Sequence, residues 1–133
     1  MSATAIIIQK LLADSDVTNV VGQTIRPVLF EKTDAPPSIL VNIVSGRDGL
    51  SLAGADQYFT DRMQVECLAR SATDAETLSK LVMRTLNGVI KESIAGCVDV
   101  DIWFAGTSFS RYSDDLITFS RVLQFYVQWR ETP

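Results

Sequence analysis

The sequence predicts an α+β fold: a mainly antiparallel sheet of four to five strands with two helices packed on one face. Two observations carry this reading. Residues 116–130 alternate with period two, placing Ile117, Phe119, Leu123, Phe125, Val127 and Trp129 on one side, with Arg121 the only break. Thr118, Ser120, Gln124, Tyr126, Gln128 and Arg130 occupy the other side, so one face of a long strand is buried and the other is wet or partnered. Residues 73–91 instead repeat apolar side chains at helical spacing, as a helix laid on a sheet requires. The strands are expected to meet mostly as hairpins, with one right-handed crossover through that helix.

In chain order, residues 3–12 present Ile6, Ile7, Ile8, Leu11 and Leu12 as one helical face, although β-branched residues weaken the propensity. Asp14, Ser15 and Asp16 offer capping oxygens, and Val17, Val20 and Val21 before Gly22 suit a short second helical turn with a glycine stop. Residues 24–30 read as a short strand, and Pro27, which lacks a backbone donor, places it at an edge or bulge. Pro36 and Pro37 close a loop. Residues 38–45 form a strand apolar on both faces, which belongs away from a wet edge or against a partner.

Residues 46–56, GRDGLSLAGAD, are too long for a tight hairpin turn. Leu50 and Leu52 within them either fold back on the core or dock on another chain; with Arg47 they are candidate contact residues. Residues 58–69 alternate again, with Phe59, Met63, Val65 and Cys67 inward. Asp61 falls on that apolar side, as Arg121 does in the last strand, and a lone charge there is costly unless paired. Asp61 and Arg121 are therefore a candidate cross-strand pair, the alternative being a bulge that turns one of them outward. Thr73 and Glu76 read as a capping box, followed by the stripe Ala75, Leu78, Leu81, Val82, Leu86, Val89 and Ile90. After a turn at 93–96, residues 97–104 form a strand that buries Val98, Val100, Ile102 and Phe104. It leaves Asp99, Asp101 and Trp103 outside, a row suited to a contact surface. Residues 105–115 connect it to the final strand.

Composition bounds what such a fold can do. The 133 residues make a single domain, 47% hydrophobic and 21% charged, large enough to bury roughly two-thirds of its unfolded surface. No apolar run is long enough to span a membrane. The opening MSATAIIIQKLL has neither a basic stretch nor a small-residue cleavage site, so no signal peptide is expected. The net charge of −4, with Lys and Arg scattered singly, argues against a nucleic-acid-binding patch. The absence of His removes the usual general base and the imidazole metal ligand, and the expectation is no catalytic, cofactor or metal site. Cys67 and Cys97 are expected to be reduced and structural.

The order of elements and several local words resemble the tail-completion (tail-terminator) proteins of long-tailed bacteriophages and prophages, over nearly the whole chain. The resemblance is carried by Val20-Val21-Gly22 with Ile25 and Pro27, then Pro37 leading into the strand that ends Val44-Ser45-Gly46. It continues through Arg62, Gln64 and Val65 to Ala69, Ala75, Leu78 and Leu86, and ends in Arg121, Val122, Leu123, Phe125 and Val127. Arg26 and Ser38 depart from it, standing where aromatic residues are expected.

The resemblance implies a non-enzymatic building block: a hexameric ring that caps the tail tube, ends its polymerisation and joins the tail to the head connector. Its partners would be copies of itself, the tail-tube protein and a head-connector or head-completion protein, with DNA only as passing cargo. It would be made in the host cytoplasm and reside at the head-proximal end of the virion tail. A ring needs two different, complementary surfaces on each subunit. The strand edges and the exposed sheet face, with Trp103, Gln124, Tyr126 and Gln128, are the candidates. Two other readings compete: a non-viral α+β adaptor or dimerisation domain, and a metal-dependent enzyme using Asp99, Asp101, Asp114 or Asp115.

Overall fold

A computed structural model of the chain describes residues 3–27, 36–44, 58–113 and 118–131. Three helices and six strands follow in the order α1 (Ala3–Leu12), α2 (Ser15–Val21), β1 (Ile25–Pro27), β2 (Ser38–Ile43), β3 (Phe59–Ala69), α3 (Ala72–Leu86), β4 (Val89–Ile94), β5 (Cys97–Ser113) and β6 (Thr118–Glu131). The class is α+β, but the sheet has six strands instead of the four to five expected, in the order β1-β2-β3-β6-β5-β4. Every neighbouring pair is antiparallel except β1–β2. The chain leaves β3 through α3 and returns at the far edge as β4, which runs antiparallel to β3. The α3 connection is thus not the parallel crossover that was expected. None of the helices among the described residues is long and apolar enough to cross a membrane.

The sixth strand comes from the end of the long helix. The apolar stripe suggests that α3 runs through Val89 and Ile90, but the helix stops at Leu86. Asn87 is extended and Gly88 adopts φ +91°, a conformation that costs little only without a Cβ. The Gly88 N–H then donates to Ile102 O at 3.0 Å, and Val89 pairs with Ile102. Two consecutive β-branched residues satisfy a strand at least as well as a helix, and the pairing decides for the strand. The start of α3 also moves. Ser71, extended at φ −140°, is the N-cap and its Oγ accepts the Asp74 N–H at 3.1 Å, so Thr73 lies within the first turn and does not cap.

The second departure is the hairpin of β5 and β6. Residues 105–113, expected to be a connection, continue β5 beside β6 as far as the pair Ser113 and Thr118. Two register shifts interrupt this pairing, between Val98 and Asp101 and between Phe104 and Ser108. Asp99 (φ +53°) sits in the first and Gly106 (φ +88°) in the second, the marks of bulges that bend a strand.

The helices lie on the face that carries Met63, Val65, Cys67, Leu123, Phe125 and Val127. Ile6, Ile7 and Leu11 of α1, Val17 of α2, and Leu78, Val82 and Leu86 of α3 complete one buried apolar cluster. At about 25 cal/mol per Å² of apolar surface removed from water, each fully buried Leu or Ile here stabilises the fold by roughly 1.5–3 kcal/mol. α2 forms as expected: Asp14 caps it through the Asp16 and Val17 N–H groups, and Gly22 (φ +63°) ends it. Cys67 and Cys97 are both free and buried. Their β6 partners, Arg121 and Glu131, are ten residues apart, roughly 30 Å at about 3.3 Å per residue.

Candidate functional site

The face of the sheet away from the helices carries the side chains that the alternation assigned to it. Trp103 of β5 pairs in register with Tyr126 of β6, and Tyr126 with Arg62 of β3. The Trp103 and Tyr126 rings lie 5.5 Å apart, tilted by 32°, and Trp103 remains 39% exposed. Gln128 continues the row between Thr60 and Asp101, and Gln124 is buried beside Gln64. Three candidates, Trp103, Gln124 and Tyr126, are thus brought together, and Gln128 adjoins them. Arg47, Leu50 and Leu52 lie outside the described residues.

The group that organises this face is Arg62. Its Nε donates to Gln124 Oε1 at 2.8 Å, one terminal nitrogen to the Tyr126 hydroxyl at 3.1 Å, and the other to Thr107 Oγ1 at 2.8 Å. Its guanidinium carbon also lies 5.3 Å from the centre of the Tyr126 ring, within the range of a cation–π contact. Gln124 Nε2 extends the chain of contacts to Gln64 Oε1 at 3.4 Å. One planar cation therefore bridges three adjacent strands, from β3 over β6 to the bulged part of β5. Its acceptors among the described residues are all neutral, and such a guanidinium is suited to a carboxylate brought by a partner. Alternation places Arg62 on this face from sequence; its central role depends on Thr107, which the 104–108 bulge brings within reach.

Asp61 and Arg121 are not brought together. Asp61 stands opposite Val127 and Arg121 opposite Cys67, six residues farther along β3, about 20 Å away at ~3.3 Å per residue. The register between β3 and β6 runs without a shift from Phe59 to Ala69, so no bulge turns either of them outward. Both stay on the helix-side face, where Asp61 is buried and Arg121 donates to Ser110 Oγ at 3.0 Å.

The two carboxylates beside Trp103 are each held by their own cation. Asp101 lies 3.2 Å from Lys91 Nζ and accepts the Lys91 N–H at 2.8 Å; Asp99 lies 3.3 Å from Arg130. The hydrogen bond to Asp101, and secondarily that to the Tyr58 hydroxyl, raises the Lys91 pKa. Asp114 and Asp115 lie outside the described residues, and no cluster of three or more metal-ligating side chains occurs among the described ones.

No protein-family model matches the chain, and no curated protein does. Among solved structures, the fold is similar to a chain from the virion of the native gene transfer agent (GTA) particle. The TM-score is 0.69 at 13% identity, over 96% of this chain and 94% of that one. At that identity the likeness is one of fold, extending over nearly the whole of both chains.

Proposed function

We propose that this chain is a non-enzymatic structural protein of a phage-like virion, and within the virion a tail terminator. Six copies close into a ring that caps the tail tube, stops its polymerisation and offers a seat to the head connector. The observation that carries the reading is the fold likeness to a virion chain, which leaves almost no residue of either chain unmatched. The spaced words from Val20-Val21-Gly22 to Arg121 and Val127 add independent support from sequence. The sheet face built on Arg62, Tyr126 and Trp103 suits a protein contact: an amphipathic aromatic pair, pinned by a cation with no acid partner among the described residues. Partners on this reading are neighbouring copies, the tail-tube protein and a head-completion protein, with DNA passing through the lumen.

The test is assembly of particles without this protein. Electron micrographs should contain overlong or headless tails. Normal virions would overturn the reading in favour of an adaptor domain outside the particle.

A further inference from the structure

Among the described residues the sheet has open edge along β1, along β4, at Phe59–Asp61 of β3 beyond the reach of β2, and along the second half of β5; the β1 and β4 edges are blunted. β1 is three residues long and ends in Pro27. β4 carries two register irregularities and Lys91 at φ +51°. Short length, proline, bulges and lysine are the devices by which proteins prevent edge-to-edge pairing. The β5 stretch has no such protection past its 104–108 bulge. β4 covers β5 only from Cys97 to Ile102, and the Asn87 side chain accepts the Phe104 N–H at 2.9 Å just beyond. From residue 105 to 113, β5 pairs among the described residues with β6 alone, and past the 104–108 bulge its register is regular through Ser113. Every second residue there turns its N–H and C=O away from β6. Water satisfies such a row in an isolated subunit, and an extended backbone can take its place in register.

The side chains along this edge indicate the chemistry of the incoming strand. Phe109 and Arg111 share the outer face, with the guanidinium 5.3 Å from the Phe109 ring, and Phe109 is 37% exposed. Tyr112, 52% exposed, packs against Phe119 on the other face, the ring centres 4.6 Å apart and the planes tilted by 39°. Arg111 and Arg121 make no ion pair among the described residues; Arg121 lines a crevice under α3 in which the Ser108 hydroxyl is buried without a partner. Cross-strand neighbours lie about 5 Å apart, so an acidic residue on the added strand would meet Arg111 and an apolar one would cover Phe109.

We infer that the β5 edge at 105–113 receives an extended strand from a neighbouring copy of this chain, with a carboxylate of that copy on Arg111. The chain carries 16 acidic residues against 12 basic ones, so a second copy has carboxylates to bring to this edge. A strand taken by one edge and given from elsewhere is also the heterologous contact that a ring needs. This inference rests on the ring reading, and deepens it by naming the subunit joint.

Amide hydrogen exchange of the whole chain, dilute and then assembled alone or on tail tubes, tests it alongside Arg111→Glu. The outward amides of 105–113 should exchange at least ~10-fold more slowly in the ring. Arg111→Glu should keep the native circular dichroism and melting point yet assemble at least ~10-fold less readily. A ring with 105–113 unprotected overturns the inference and leaves the ring reading intact. Protection that appears with the tube protein but without self-association overturns the second copy as occupant. Failure to self-associate under every condition overturns both.

Discussion

Asp14 ties together two elements far apart in sequence. Its Oδ1 accepts the Asp16 and Val17 N–H groups at 2.9 and 3.2 Å, and its Oδ2 accepts the Thr85 hydroxyl of α3 at 2.8 Å. The Thr85 bond above all, with the Val17 and Asp16 N–H groups and the nearby Arg84 charge, holds its carboxyl below the ordinary 3.8 against burial, the second-largest influence. A depressed carboxylate contributes stability that is fully present above its unfolded value and is lost as pH falls through the folded one. Asp14→Ala should therefore cost about 1 kcal/mol at neutral pH, as cap removal does. That deficit should shrink as the pH is lowered below 3.8. Urea unfolding of both proteins across that range measures it; a deficit independent of pH would assign the loss to packing. Arg62 works by the same logic of one side chain serving several strands, and its acceptors among the described residues are neutral.

The boundary between α3 and β4 gives the element scale its sharpest test. Leu86 is fully buried at the end of α3, whereas Ile90, four residues on and in phase with it on a helix, is 70% exposed on β4. Leu86→Ala should destabilise by about 3 kcal/mol through lost transfer energy and the cavity left behind. Ile90→Ser should stay within about 0.5 kcal/mol, the usual range for a surface change. Denaturant unfolding of the two variants separates these outcomes, and an equal cost would mean that the helix continues through Ile90. Sequence periodicity does not discriminate here, because Val89 and Ile90 fit both a 3.6-residue stripe and a strand. For β5 the difficulty is the reverse. Residues 105–113, AGTSFSRYS, are small and polar with one glycine, the composition of a loop, and only their ladder with β6 makes them a strand.

For the molecule as a whole, both cysteines belong to the single apolar cluster although they sit at opposite ends of the sheet. Burial drives the Cys67 thiol far above its ordinary pKa, so almost no thiolate is present for reaction. A thiol reagent should label neither cysteine of the folded protein within minutes and both together once urea unfolds it. Rapid labelling of one alone would mark an end of the sheet that opens independently. The same experiment on rings and on isolated subunits reports whether assembly changes the stability of the core, since any partner that binds only the folded state adds to it.

Along β3, β6 and α3 as far as Leu86, the sequence by itself determined which side chains point which way. Alternation along β3 and β6, the capped α2, and the buried stripe of α3 are local consequences of period two, period 3.6 and hydrogen-bonding oxygens near a helix start. Facing, however, does not fix partners. Asp61 and Arg121 lie on the same side of adjacent strands, yet the register sets them six residues apart, and that register is a property of two whole strands meeting. Only the tertiary structure decided that pairing, the conversion of 89–94 and 105–113 into strands, and the clasp of Arg62 on Thr107. Each depends on backbone hydrogen bonds to residues distant in the chain, whose energy appears in no local pattern.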